Sequence, residues 1–97
     1  MPYTLPPTLS GAARMLRNAY PGGIPEPAYW AILSLLYEYF SDRNLAELMA
    51  AVTGKDTPIV LNDIYACASS KPAAPAIAAA RELLTRYGLQ AVCAEGE

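Results

Sequence analysis

The sequence contains no histidine, only two cysteines and no block of like charge, and each shortage removes a class of function. Without histidine the chain lacks the commonest general base and metal ligand at neutral pH. Cys67 and Cys93 are too few and too far apart for a disulfide framework. No signal-like run precedes them, so both are expected as reduced thiols in a cytoplasmic protein. Seven Lys and Arg stand against nine Asp and Glu, a net charge of -2, and the basic residues are scattered from Arg14 to Arg86. Such a distribution does not attract a polyanion, and nucleic acid is not the expected partner. The longest strongly apolar run, Ala28 to Phe40, is interrupted by Ser34 and Glu38. It falls short of the roughly 20 residues that span a bilayer, so it reads as a core helix with no membrane role.

What the sequence does contain is apolar periodicity cut by proline and glycine. Its 97 residues suit one domain, 1–97. A chain of this size buries roughly 64 % of its unfolded surface, enough for a modest core. Leu9, Ala13, Leu16 and Tyr20 recur at helical spacing over Thr8 to Tyr20, with Thr8 or Ser10 as cap and Pro21 as stop. Residues 1–7, with three prolines, read as an irregular, flexible arm. A second helix is expected from Pro27 to about Phe40, with Glu26 near its positive end. Its apolar side chains cover roughly 220° of the helical wheel, against the ≳100° of an ordinary surface helix, so it requires neighbours on two sides.

Ser41 and Asp42 cap a third helix carrying Leu45, Leu48, Met49 and Val52, closed by Gly54. Thr57-Pro58 opens a fourth, with Leu61, Ile64, Tyr65 and Ala68 expected inside. Ile59-Val60-Leu61 also reads as a short strand, but no partner strand is visible. Pro75 opens a fifth, with Ile77, Ala80, Leu84 and Tyr87 inside, and Gly88-Leu89 is a Schellman-type stop. The tail over 91–97 is expected to fray. The fold class is therefore all-α, a compact bundle of about five short helices.

Between the first two helices lies Tyr20-Pro21-Gly22-Gly23-Ile24-Pro25. Two prolines fix φ and two glycines permit positive φ, so this is a structural corner, with Tyr20, Pro21, Gly23, Ile24 and Pro25 its key residues. It is expected to deliver Ile24 into the space between the first two helices. An anion nest is disfavoured because the two prolines have no N–H. The run YPGGIPEPAYWAILSLL resembles the signature of a family of small all-helical actinobacterial, mainly mycobacterial, proteins catalogued as a domain of unknown function. The pattern is a YP-x-GIP corner followed by a hydrophobic helix ending in a leucine cluster, here Leu33, Leu35 and Leu36. It continues more weakly through Asp63-Ile64 and the helix from Pro75 to Gly88. Family members often carry a carboxylate near the start of the second helix, where this chain has Ala28. The resemblance implies a helical domain with no assigned activity.

Catalytic constellations are missing. Cys67 falls late in a helix with no base to activate it, so it reads as a small buried hydrophobe, and Cys93 as an incidental thiol in the tail. The carboxylates are spread over separate caps and faces, which forces no acid and base together. Gly54-Lys55 resembles the end of a phosphate loop, but Met49 stands where its first glycine belongs and Asp56 replaces the Ser or Thr. No catalytic residue, metal, cofactor or small-molecule substrate is therefore expected, and the chain reads as a non-enzyme. A helix-turn-helix formed by the third and fourth helices is the alternative, although its reading helix, presenting Asn62 and Asp63, has no Lys or Arg between Pro58 and Ser70.

Seven tyrosines and one tryptophan exceed what so small a core encloses, since their polar ends require water or a partner. Trp30, Leu33 and Tyr37 share one ridge of the second helix and are the candidate partner-binding residues. The expected function is a protein–protein interaction module whose partner is another protein or a second copy. The competing reading of the ridge is as core, covered by the fourth or fifth helix.

Overall fold

Six helices form among the described residues, and no strand. A computed structural model describes the backbone over residues 7–95 and the side chains over 9–92. Helix α1 spans Pro7–Ala19, α2 Glu26–Leu36, α3 Asp42–Thr53, α4 Thr57–Ser69, α5 Ala74–Thr85 and α6 Leu89–Glu95. The all-α fold class stands, with one more helix than the periodicity indicates. Packing joins them in a closed ring: α1 on α3, α3 on α4, α4 on α2, α2 on α5, α5 on α6, and α6 back on α1. The core fills its centre, built from Leu9, Met15 and Leu16 of α1, Ile32 and Leu36 of α2, and Leu45, Leu48 and Met49 of α3, among others.

Local signals explain most boundaries. Tyr20 accepts the Gly23 N–H at 2.9 Å, closing a turn in which Pro21 takes the position that suits its fixed φ. Gly23 alone of the corner glycines has positive φ, 104°. Pro25 then caps α2 with extended backbone and accepts the Tyr29 N–H at 2.9 Å. Ile24 is partly buried and borders a cleft shared with Val52 and Thr53 at the end of α3. Ser41 accepts the Asn44 N–H at 3.2 Å as the N-cap of α3, and Gly54 ends that helix at φ 83°. α2 meets neighbours on two sides, α4 and α5, as its wide apolar arc demands.

Several expectations are corrected. α1 begins at Pro7, so Thr8 and Ser10 lie inside it rather than capping it; the rest of the expected arm, 1–6, lies outside the described residues. α2 stops at Leu36 and tightens into a turn, where Leu36 accepts the N–H groups of both Tyr39 and Phe40. Asp56, not Thr57, holds the N-cap position of α4. The inner face of α4 is Val60, Ile64 and Cys67, which leaves Tyr65 and Ala68 exposed. Tyr87 is also exposed, beyond the end of α5. Residues 91–95 are helical instead of frayed; 96 and 97 lie outside the described residues. Gly88 explains this: at φ 101° it turns the chain out of α5, and its carbonyl accepts the Val92 N–H at 3.0 Å to start α6. Leu89 and Val92, three apart, are both buried, which anchors the short helix.

Gly88→Ala is expected to cost about 1–2 kcal/mol, because an L-residue is forced into left-handed backbone although nothing obstructs its Cβ. Gly22→Ala has the same open space without the positive φ and should be neutral or stabilising by up to about 1 kcal/mol. Urea unfolding of the two variants checks the contrast; equal losses would contradict it.

Candidate functional site

The first turn of α2 carries the most concentrated polar chemistry. Tyr29 is 1 % exposed, yet a buried phenol requires a hydrogen-bond partner. Its hydroxyl donates to Asp63 Oδ2 of α4 at 2.6 Å. Lys55, placed by the Gly54 turn between α3 and α4, sets Nζ 3.9 Å from the same carboxylate oxygen and 3.8 Å from the Tyr29 ring centroid. One ammonium therefore serves an ion pair and a cation–π contact together. Trp30 meets Tyr29 edge to face, centroids 5.3 Å apart, and its indole N–H donates to Glu26 Oε2 at 3.1 Å.

Burial pushes the Tyr29 hydroxyl far above its ordinary pKa, and the hydrogen bond and negative charge of Asp63 push it further. It is a fixed proton donor, unsuited to act as a base. Cys67 is 4 % exposed and donates its Sγ hydrogen to the Trp30 carbonyl at 3.4 Å. Burial raises its pKa too, against weaker opposing effects of Ser34 and Lys71, so the group is a thiol rather than a nucleophilic thiolate. The Cys93 side chain lies outside the described residues. Among the described residues no three His, Cys, Asp or Glu converge on a metal-sized site. The cluster's polar atoms satisfy one another, which makes it a clamp between helices.

Beyond this clamp α2 and α4 border a cleft of about 130 Å³. Leu33, Tyr37, Ile64 and Ala68 supply its apolar walls, and Glu38, just beyond α2, and Lys71, just beyond α4, also line it. The three ridge residues of α2 part company here. Leu33 is 1 % exposed and belongs to the core, touching the cleft only from beneath. Trp30 is half-buried against the core. Tyr37, 42 % exposed, is the one that presents a large surface to solvent, as Tyr65 and Tyr87 do elsewhere. Sequence reasoning singled out Trp30 and Tyr37 but missed Tyr29, Lys55 and Asp63 as a group; the Tyr29–Asp63 pair spans 34 residues and leaves no local signal.

The helix-turn-helix alternative rests on α3, the Gly54–Asp56 turn and α4. The outward face of α4 carries Ile59, Asn62, Tyr65 and Ser69. Asn62 is exposed as expected, but Asp63 turns inward to Tyr29, and Lys55 is committed to Asp63. No helix among the described residues is long and apolar enough to cross a membrane. Comparison with known proteins finds no matching family model, no similar curated protein and no similar solved structure.

Because the folded-state pKa of Tyr29 lies above its ordinary value of 10.0, the stability it contributes is complete below that pH and is lost as the pH rises past it. Tyr29→Phe should cost about 1–3 kcal/mol near neutrality, since Asp63 loses its shortest partner. Above about pH 10 the wild-type stability should fall more steeply than that of Tyr29→Phe, which lacks this component. Parallel curves in denaturant titrations across that range would contradict the clamp.

Proposed function

We propose that the chain is a non-enzymatic protein–protein interaction module and that its contact surface is the α2–α4 cleft with Tyr37 at its edge. The observation that carries the reading is a tyrosine 42 % exposed beside an apolar cleft whose other walls are Leu33, Ile64 and Ala68. Tyrosine is a preferred interface anchor because it offers a large rigid ring and a wet hydroxyl at little entropic cost. The cleft, at about 130 Å³, is well below the roughly 300–1,000 Å³ of a small-molecule site. It is close to the volume of about 150 Å³ that accepts one benzene ring. A single inserted side chain suits that space, which favours a macromolecular partner over a metabolite.

The reading places the chain in the cytoplasm, where a buried reduced Cys67 persists, and retains the kinship with the actinobacterial family suggested by the Tyr20–Leu36 run. Trp30 serves this surface indirectly, by holding the first turn of α2, and Leu33 supplies its base. Nucleic acid takes second place, since α4 offers no cation to phosphate.

A photoreactive benzophenone amino acid in place of Tyr37 tests the proposal in cells that express the chain. Protein adducts should form from position 37 and be absent when the same group replaces Tyr87, which is equally exposed on another part of the surface. Equal labelling from both positions, or adducts from neither, would remove the proposed surface. Adducts to nucleic acid from position 65 on α4 would instead favour the helix-turn-helix reading.

A further inference from the structure

The α2–α4 cleft has a property that a general apolar groove lacks: its lining includes one unpaired charge of each sign, the acid beyond α2 and the base beyond α4. Glu38 follows the end of α2, and Lys71 follows the end of α4. Both are exposed, and no ion pair joins either of them to any described residue, including each other. The ion pairs among the described residues join Arg43 with Glu47 and Arg86 with Glu82 one turn apart, and Lys55 with Asp63 between elements; Arg14, Asp42, Asp56 and Arg81 lie outside them as well. What distinguishes Glu38 and Lys71 is that both border the same opening.

A surface with a carboxylate on one side and an ammonium on the other complements itself under a two-fold rotation. An axis running along the cleft sets the α2 side of one molecule against the α4 side of another. Glu38 of each copy then faces Lys71 of the other, and Tyr37 of each faces Ile64 and Ala68 of the other. The ring-sized space and the exposed ring match in the same operation.

Resting on the protein-contact reading above, we infer that the occupant of the cleft is a second copy of this chain, held in an isologous dimer by Tyr37 in the apolar cleft and by two Glu38–Lys71 pairs. A partner of another sequence needs its own matching charges; a second copy already has them. Two other openings offer no free charge of each sign. The one between α2 and α5 is walled by small residues, chiefly alanines, and in the one beside Lys55 both Glu26 and Lys55 are already bonded within the chain.

Charge reversal gives a test with internal rescue. Sedimentation equilibrium of the purified chain should show a monomer–dimer equilibrium. Glu38→Lys and Lys71→Glu should each weaken it by about tenfold or more, because each homodimer then holds two like-charge contacts. An equimolar mixture of the two variants should recover wild-type association, since every contact in the mixed dimer is again between opposite charges. Tyr37→Ala should weaken the dimer in wild type and mixture alike. Circular dichroism should show all variants folded, both charged positions being exposed and unpaired. A strictly monomeric chain, or a dimer indifferent to the reversals or not rescued by mixing, would overturn the second copy. Crosslinks from position 37 to a different protein would then leave the protein-contact reading standing, whereas their absence would remove it as well.

Discussion

The hydroxyl of Tyr29 sets the arrangement on which the rest depends. A tyrosine at 1 % exposure loses its water, and an unpaired hydroxyl there would cost about 1–3 kcal/mol. Asp63 meets that requirement from α4, and Lys55 holds Asp63 from the preceding turn. Two stretches far apart in sequence, α2 and the turn that leads into α4, are thereby fixed at one point, the start of α2. From that point α2 is committed on one side to α4 and on the other to α5, which accounts for its wide apolar arc. Toward the other end of the helix the contact with α4 opens, and Tyr37 borders a cleft instead of a packed wall.

The helices that carry explicit punctuation were legible in the sequence. Ser41 before Asp42, Gly54 after Thr53 and the Tyr20–Pro25 corner each state a boundary in chemistry that depends on a few neighbouring atoms. The inner face of α4 was not legible, because Ile59, Val60, Leu61, Ile64, Tyr65, Ala66, Cys67 and Ala68 are apolar or small nearly all round. A stripe then fits almost any rotation, and packing chose Val60, Ile64 and Cys67. Gly88 was read as an end, yet the same left-handed residue also begins α6, whose seven residues are too few for periodicity to declare.

Depth was the missing coordinate at the site. Helical spacing places Leu33 and Tyr37 on one ridge because they are four apart, and it says nothing of where a neighbouring helix ends. In the structure that distance decides their roles, the first in the core and the second in water. The clamp was equally hidden, since Tyr29 and Asp63 are brought together only by the turn between α3 and α4 and by the packing of α4 on α2. Glu38 and Lys71 carry no joint signal in the sequence; they come together only as linings of one opening.

The interaction reading depends on α2 being held in this orientation, with Tyr29 inside and Tyr37 outside. The most direct measurement is proton NMR of the Tyr29 hydroxyl in water at neutral pH. The structure predicts a resolved hydroxyl resonance, slowed in exchange by burial and by its 2.6 Å bond, with a cross-peak to the Asp63 β-protons. A hydroxyl that exchanges too fast to observe, or one whose cross-peaks lead away from α4, would contradict the orientation of α2 and with it the cleft on which the interaction surface rests.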